Sequence, residues 1–219
     1  MQDLTVWCVY WGNKYHKGYV YALQEMVSKY LTIPHTFKCI TTERFDGVQT
    51  RNPFVPYQGW WQKIGLFAPT VATGPSIYLD LDVVITGNID FLADYTDTFS
   101  APSNWAQSGY GGIQSSVMCW PGNWTLPFDK FDYPADSARL YGDQEFLWDL
   151  LGDNWKKVPG VCSYKYHGRI GKPVQPIIEF HGKPDPHEVN DEWLLPFTST
   201  LRSYINANTG NGLRQVSQA

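Results

Sequence analysis

The apolar residues of this chain fall in short runs separated by stretches with helical spacing. Leu4 to Trp11 (LTVWCVYW) is apolar and rich in β-branched and aromatic residues, the signature of a strand. Tyr19 to Tyr30 then places Val20, Leu23, Met26, Val27 and Tyr30 on one helix face, and His35 to Thr41 (HTFKCIT) returns as a second strand. These pieces make a β-α-β unit. Arg44 to Gly59 is polar and broken by Gly47, Pro53 and Pro56, a loop, whereas Trp60 to Phe67 reads as a short helix stopped by Pro69. Ser76 to Leu81 is a buried strand bounded upstream by Gly74 and Pro75, with further strands expected at Phe99 to Ala101, Ser116 to Trp120 and Ile177 to His181. Ser108 to Gly112 is a Gly-rich flexible stretch, and a helix opens at Gly142-Asp143 and runs to Leu151. No internal repeat is visible. Strands alternating with helices imply a layered, largely parallel α/β sheet whose ligands bind outside the carboxyl ends of its strands.

With 219 residues the chain suits one sizeable α/β domain. The formal net charge of −4, with no basic cluster longer than Lys156-Lys157, argues against a nucleic-acid-binding patch. Cys8, Cys39, Cys119 and Cys162 lie far apart with no C-x-x-C, so reduced, packed thiols are expected. The first strand starts within a few residues of Met1 and no apolar run approaches ~18 residues, so a cytoplasmic chain without a transmembrane segment is expected. Asn123-Trp124-Thr125 is idle as a glycosylation acceptor in that compartment. The 16% aromatic content tilts the reading toward stacking platforms without deciding it.

The chemistry concentrates in SIYLDLDVVIT, Ser76 to Thr86, where Asp80 and Asp82 interrupt an apolar run. On a strand, residues two apart share a face, so both carboxylates can reach one ion. Buried together without a cation they would cost on the order of several kcal/mol. The plainer reading is a strand end whose aspartates face solvent or cap a turn. A second candidate lies in PIIEFHGKPDP, Pro176 to Pro186, where a strand runs into His181, Gly182 and Lys183. Two carboxylates and an imidazole suit Mn2+, with Mg2+ as the alternative, and a nearby lysine suits phosphate. No G-x-G-x-x-G or G-x-x-x-x-G-K-[ST] motif is present.

An amino-terminal β-α-β unit, an apolar strand ending in D-x-D at Asp80, the pair Asp143-Gln144 and the late Phe180-His181-Gly182-Lys183-Pro184 together resemble the nucleotide-sugar glycosyltransferases of the GT-A fold. The resemblance runs over residues 4 to 190 and is to the glycogenin-like and lipopolysaccharide galactosyltransferase-like retaining enzymes. It implies a Rossmann-like α/β fold: a mixed, mostly parallel sheet flanked by helices, in a single domain. That domain would span residues 1–205, with a nucleotide-binding half over about 1–90 and a half for acceptor and donor sugar over about 91–205, followed by a mobile polar tail over 206–219. By the same resemblance Asp80, Asp82 and His181 hold the metal, and Tyr10, Trp11, Gly12, Tyr15, Lys63, Leu81 and Lys183 bind the nucleotide. Gln114, Ser115, Asp143 and Gln144 would meet the donor sugar, the last two as catalytic residues. This chain departs from the family's longer H-x-x-G-x-x-K-P-W pattern in the compressed spacing of His181 and Lys183, and carries Gln114-Ser115-Ser116 where relatives read N-[AS]-G.

The implied reaction is metal-dependent transfer of a hexose from a nucleotide diphosphate donor, UDP-hexose for preference, to an unknown acceptor. With no carboxylate nucleophile at the matched site, departure and attack on one face of the sugar, with retention, is the expected course. Four residues have structural alternatives: His181 as a satisfied structural histidine, Lys63 as a solvated helix charge, Tyr15 as a packing aromatic and Asp143 as a helix N-cap. DLDVV also fits the nucleophile strand of haloacid-dehalogenase-type phosphohydrolases, with Asp80 as nucleophile. A non-catalytic nucleotide-sugar-binding protein is the other alternative.

Overall fold

A computed structural model describes residues 3–104 and 112–210, the last three by backbone alone. β1 (Leu4–Val9) and β2 (His35–Ile40) pair in parallel, Leu4 opposite His35 through Val9 opposite Ile40, and α1 (Gly18–Tyr30) connects them. β3 (Gln49–Arg51), inside the expected loop, extends this edge. A 3-10 helix over Gly59–Phe67 occupies the place of the predicted short helix. β4 (Ser76–Leu79) follows, and the chain then enters β5 (Val83–Ile85). The remaining strands and α-helices are β6 (Ser100–Ala101), β7 (Val117–Trp120), α2 (Leu126–Lys130), α3 (Tyr133–Arg139), α4 (Asp143–Leu151), β8 (Lys156–Lys157), β9 (Val161–Ser163), β10 (Ile177–Glu179) and α5 (Leu195–Gly210), with short 3-10 helices at Asp90–Tyr95, Gly168–Ile170, Pro186–Glu188 and Glu192–Leu194 between them.

The larger sheet has the order β3-β2-β1-β4-β7-β6-β8, parallel except where β7 runs against β4 and β6. This is the mixed, mostly parallel sheet flanked by helices that the sequence implies. β4 is central and buried on both faces, which explains an apolar run with no polar alternation. Side-chain alternation splits the core in two. Val6, Cys8, Ile77, Leu79, Val117 and Cys119 point to one face, which α1 covers with Val20, Leu23 and Val27. Trp7, Tyr78, Met118 and Trp120 point to the other, against Leu66, Phe67 and Leu147.

A smaller sheet, β5-β10-β9, holds the second half of the D-x-D run: β10 is antiparallel to β5 and parallel to β9. The predicted strand through Leu81 therefore stops at Leu79. The Asp80 N–H donates to the Ser116 carbonyl at 2.8 Å and the Val83 N–H to the Asp80 carbonyl at 3.2 Å, so Asp80 and Asp82 sit on a turn between two sheets. Same-face strand geometry is not what brings them together.

α5 continues from Leu195 past Asn206 to Gly210, so the first five residues of the expected tail, 206–210, are helical. It buries Thr198 and Leu201, and the Tyr204 ring stacks on Tyr21 of α1 at 5.4 Å. Residues 211–219, and 108–111 of the expected Gly-rich stretch, lie outside the described residues. All four cysteines are free and buried. Among the described residues no helix is long and apolar enough to cross a membrane.

Candidate active site

The turn carrying Asp80 and Asp82 forms the floor of a cleft of about 400 Å³. Its centre is Lys63, a buried ammonium delivered by the 3-10 helix. The Lys63 Nζ lies 3.1 Å from Asp80 Oδ1 and 3.4 Å from Asp143 Oδ2, and donates to the Ser115 carbonyl at 3.4 Å and Ser115 Oγ at 3.3 Å. Burial alone would lower its pKa, but the Asp143 and Asp80 carboxylates outweigh burial and hold it above the ordinary lysine range. Lys63 is thus no solvated helix charge. The Tyr78 hydroxyl donates to Asp80 Oδ1 at 2.5 Å and completes the hold on that carboxylate.

Asp82 is also buried, and the Tyr15 hydroxyl donates to its Oδ2 at 2.5 Å. Burial and the adjacent Asp80 charge push the Asp82 carboxyl up to about 7. Lys14 Nζ lies 4.5 Å from the Tyr15 ring centroid, and the Tyr19 ring packs 4.8 Å from the same ring.

Asp143 is the first residue of α4, and the N-cap is Gly142. The N-cap reading is therefore corrected: the Asp143 carboxylate turns inward to Lys63, while Glu145 accepts from the Tyr141 N–H at 2.5 Å. Asp143 Oδ2 accepts no hydrogen bond of ordinary geometry, and burial raises the carboxyl's pKa despite the Lys63 charge. Gln144, Gln114 and Ser115 line the same cleft. The Gln114 amide bridges inward, accepting from the Ser116 N–H at 2.7 Å and donating to Glu179.

Glu179 is a residue the sequence reading missed. It closes β10 beside the cleft, buried, and burial together with the Asp82 and Asp80 charges holds its carboxyl well above the ordinary range. Its signal was a carboxylate in the otherwise apolar PIIEF run.

His181 lines the cleft with its Nε2 2.7 Å from Ser163 Oγ and its ring stacked on Tyr166 at 5.8 Å. Burial, then the charges of Lys165 and Arg169, lower its pKa, which favours the neutral imidazole a metal requires. Lys183 does not line the cleft. Its exposed ammonium pairs with Asp185 at 2.7 Å and Glu188 at 2.9 Å. The cation that flanks this end is Lys165, whose Nζ lies 3.1 Å from where a Cβ on Gly182 would stand. Of the expected nucleotide residues, Trp11, Tyr15, Lys63 and Leu81 line the cleft. Tyr10 and Gly12 do not; the Tyr10 ring is buried edge-on against Phe45 at 5.2 Å.

Among the described residues no group of three or more His, Cys, Asp or Glu side chains is arranged to hold a metal ion. The expected set of Asp80, Asp82 and His181 is not assembled, because Lys63 and Tyr78 hold Asp80, Tyr15 holds Asp82 and Ser163 holds His181. The donor chemistry nevertheless fits a divalent cation. Asp80, Asp82, Asp143 and Glu179 crowd around one buried ammonium, and burial first, then the neighbouring carboxylates, raise the carboxyl groups of Asp82, Asp143 and Glu179, so a divalent cation there would relieve them.

Solved structures with the same architecture include several described as glycosyltransferases. An active-site mutant of the galactosyltransferase LgtC superposes with a TM-score of 0.65 at 12% identity, covering 91% of this chain and 95% of that one. The fold is that of the GT-A glycosyltransferases. The glycosyltransferase GlyE of Streptococcus pneumoniae TIGR4 gives 0.67 at 11% identity, covering all of this chain (100%) and 66% of its own. The bifunctional glycosyltransferase WbbM gives 0.61 at 9% identity over 91% of this chain and 49% of its own. No protein-family model matches the chain, and no curated protein matches it in sequence. At these identities the likeness is one of fold.

Proposed function

We propose that the protein is a metal-dependent glycosyltransferase that moves a hexose from a UDP-hexose donor to an acceptor with retention of configuration. The observation that carries this reading is the buried Asp80–Lys63–Asp143 network at the carboxyl end of β4, inside a cleft on a GT-A fold. Ligands of open α/β sheets bind at such strand ends. LgtC has been solved with donor and acceptor sugar analogues, which supports a nucleotide-sugar donor here by likeness of fold.

Asp80, Asp82 and His181 would hold Mn2+, or Mg2+ in its place. When bound, the ion neutralises the charge that develops on the leaving diphosphate. The chain's own residues do the rest. Lys63 fixes the Asp80 and Asp143 carboxylates in one orientation, so neither has to reorganise as the sugar becomes cationic. Asp143 and Gln144 open α4 at the cleft wall, where the carboxylate and amide meet the sugar hydroxyls. Gln114, tied to Glu179, fixes the opposite polar contact. Trp11 and Tyr15 bound the end that takes the base.

Titration calorimetry of UDP with Mn2+ tests the binding half of this reading. The wild type should bind UDP only with the metal, and Asp82→Ala should abolish that binding. Equal affinity in Asp82→Ala, or a response to guanosine diphosphate with none to UDP, contradicts the assignment.

A further inference from the structure

The connection between β9 and β10, residues 164–176, reads YKYHGRIGKPVQP. In a chain of net charge −4 it carries Lys165, Arg169 and Lys172 and no acidic residue. Among the described residues none of these three cations forms an ion pair. The same segment holds the two most exposed large apolar side chains of the described residues, Ile170 at 89% and Val174 at 95%.

This exposure is held in place by the backbone. The His167 N–H donates to the Ser163 carbonyl at 2.9 Å, the Arg169 N–H to the Tyr164 carbonyl at 3.0 Å and the Ile177 N–H to the Gly160 carbonyl at 3.1 Å. Gly168 lets the turn close on Tyr164, because a Cβ there would lie 2.7 Å from that ring. Exposing two aliphatic side chains on one turn costs hydrophobic free energy, and here they stand beside Lys172 and Arg169, whose guanidinium lies 6.0 Å from the Tyr164 ring centroid.

We propose that this connection docks the protein on an anionic bilayer surface. Ile170 and Val174 enter the interface between headgroups and acyl chains, and Arg169 and Lys172 meet lipid phosphates. Charge complementarity selects the partner: a soluble polyanion would use the cations and leave the aliphatic tips idle, whereas an anionic membrane engages both. The docked edge adjoins the cleft, since Tyr166 stacks on His181 and Lys165 reaches Gly182. The inference does not depend on the catalytic reading, and its test involves no turnover.

Co-sedimentation with vesicles of phosphatidylglycerol and phosphatidylcholine, against vesicles of phosphatidylcholine alone, reads the partition directly. The full chain should bind the anionic vesicles, and binding should fall as salt rises. Lys172→Ala should weaken it about five-fold, and the double variant Ile170→Ser with Val174→Ser should weaken it at least as much. Melting temperature and Mn2+-dependent UDP binding should not change in either. Absence of binding to anionic vesicles overturns the proposal. So does binding that the aliphatic double variant retains in full, which would assign the loop to a polyanion instead.

Discussion

Lys63 holds two carboxylates at once, and its removal exposes what each would cost alone. Lys63→Met leaves Asp80 and Asp143 facing each other without a cation, and breaking a buried pair from one side costs about 3–5 kcal/mol. Urea unfolding should record a loss of that size, and a variant as stable as wild type would show that solvent already compensates these charges. Asp143 is the sharper functional probe, because its side chain caps nothing. Asp143→Asn keeps the shape but loses the charge, so turnover should fall at least a hundred-fold while Mn2+-dependent UDP affinity holds within about two-fold. Lys183→Ala should leave UDP affinity unchanged, since its ammonium is committed to Asp185 and Glu188. A loss of binding there would return Lys183 to the diphosphate. Asp80 and Asp82 were legible in the sequence because charge inside an apolar run demands a partner, whereas Lys63 and Asp143 came through the family resemblance and Glu179, in a similar run, was passed over. Lys165 was not legible, because its place beside Gly182 depends on how a thirteen-residue connection folds back.

At the scale of elements, the sequence was readable where one pattern met one environment. β1, α1 and β2 keep their period from end to end and emerged within two residues of expectation. The run from Ser76 to Thr86 was misread as one strand, because β4 and β5 are both fully buried and periodicity does not reveal that the chain leaves one sheet for another at Asp80–Asp82. The correction matters for the site: a turn, not a pleat, sets the spacing of the two carboxylates. α5 was hidden by its polar end, and it is held by contact with α1 more than by its own composition. Gly18 permits that contact, as a Cβ there would stand 2.7 Å from Tyr204 Cβ. Gly18→Ala should therefore destabilise the protein by about 1–3 kcal/mol in urea unfolding, despite alanine's better helix propensity. An unchanged midpoint would mean that α5 shifts freely on α1.

Across the whole molecule, two sheets meet at one turn, and the cleft is the space left where the strand ends part. The larger sheet supplies Asp80 from β4, the 3-10 helix that follows β3 supplies Lys63, α4 supplies Asp143, and the smaller sheet brings Glu179 and, just beyond β10, His181. LgtC and GlyE share this fold with the chain at 11–12% identity. The central claim is that this cleft transfers a hexosyl group from UDP, and UDP release from a panel of UDP-hexoses with and without Mn2+ tests it most directly. The account predicts Mn2+-dependent release by the wild type, none by Asp82→Ala, and at least a hundred-fold less by Asp143→Asn although that variant still binds UDP. Release that is independent of metal, or undiminished in Asp143→Asn, would contradict it.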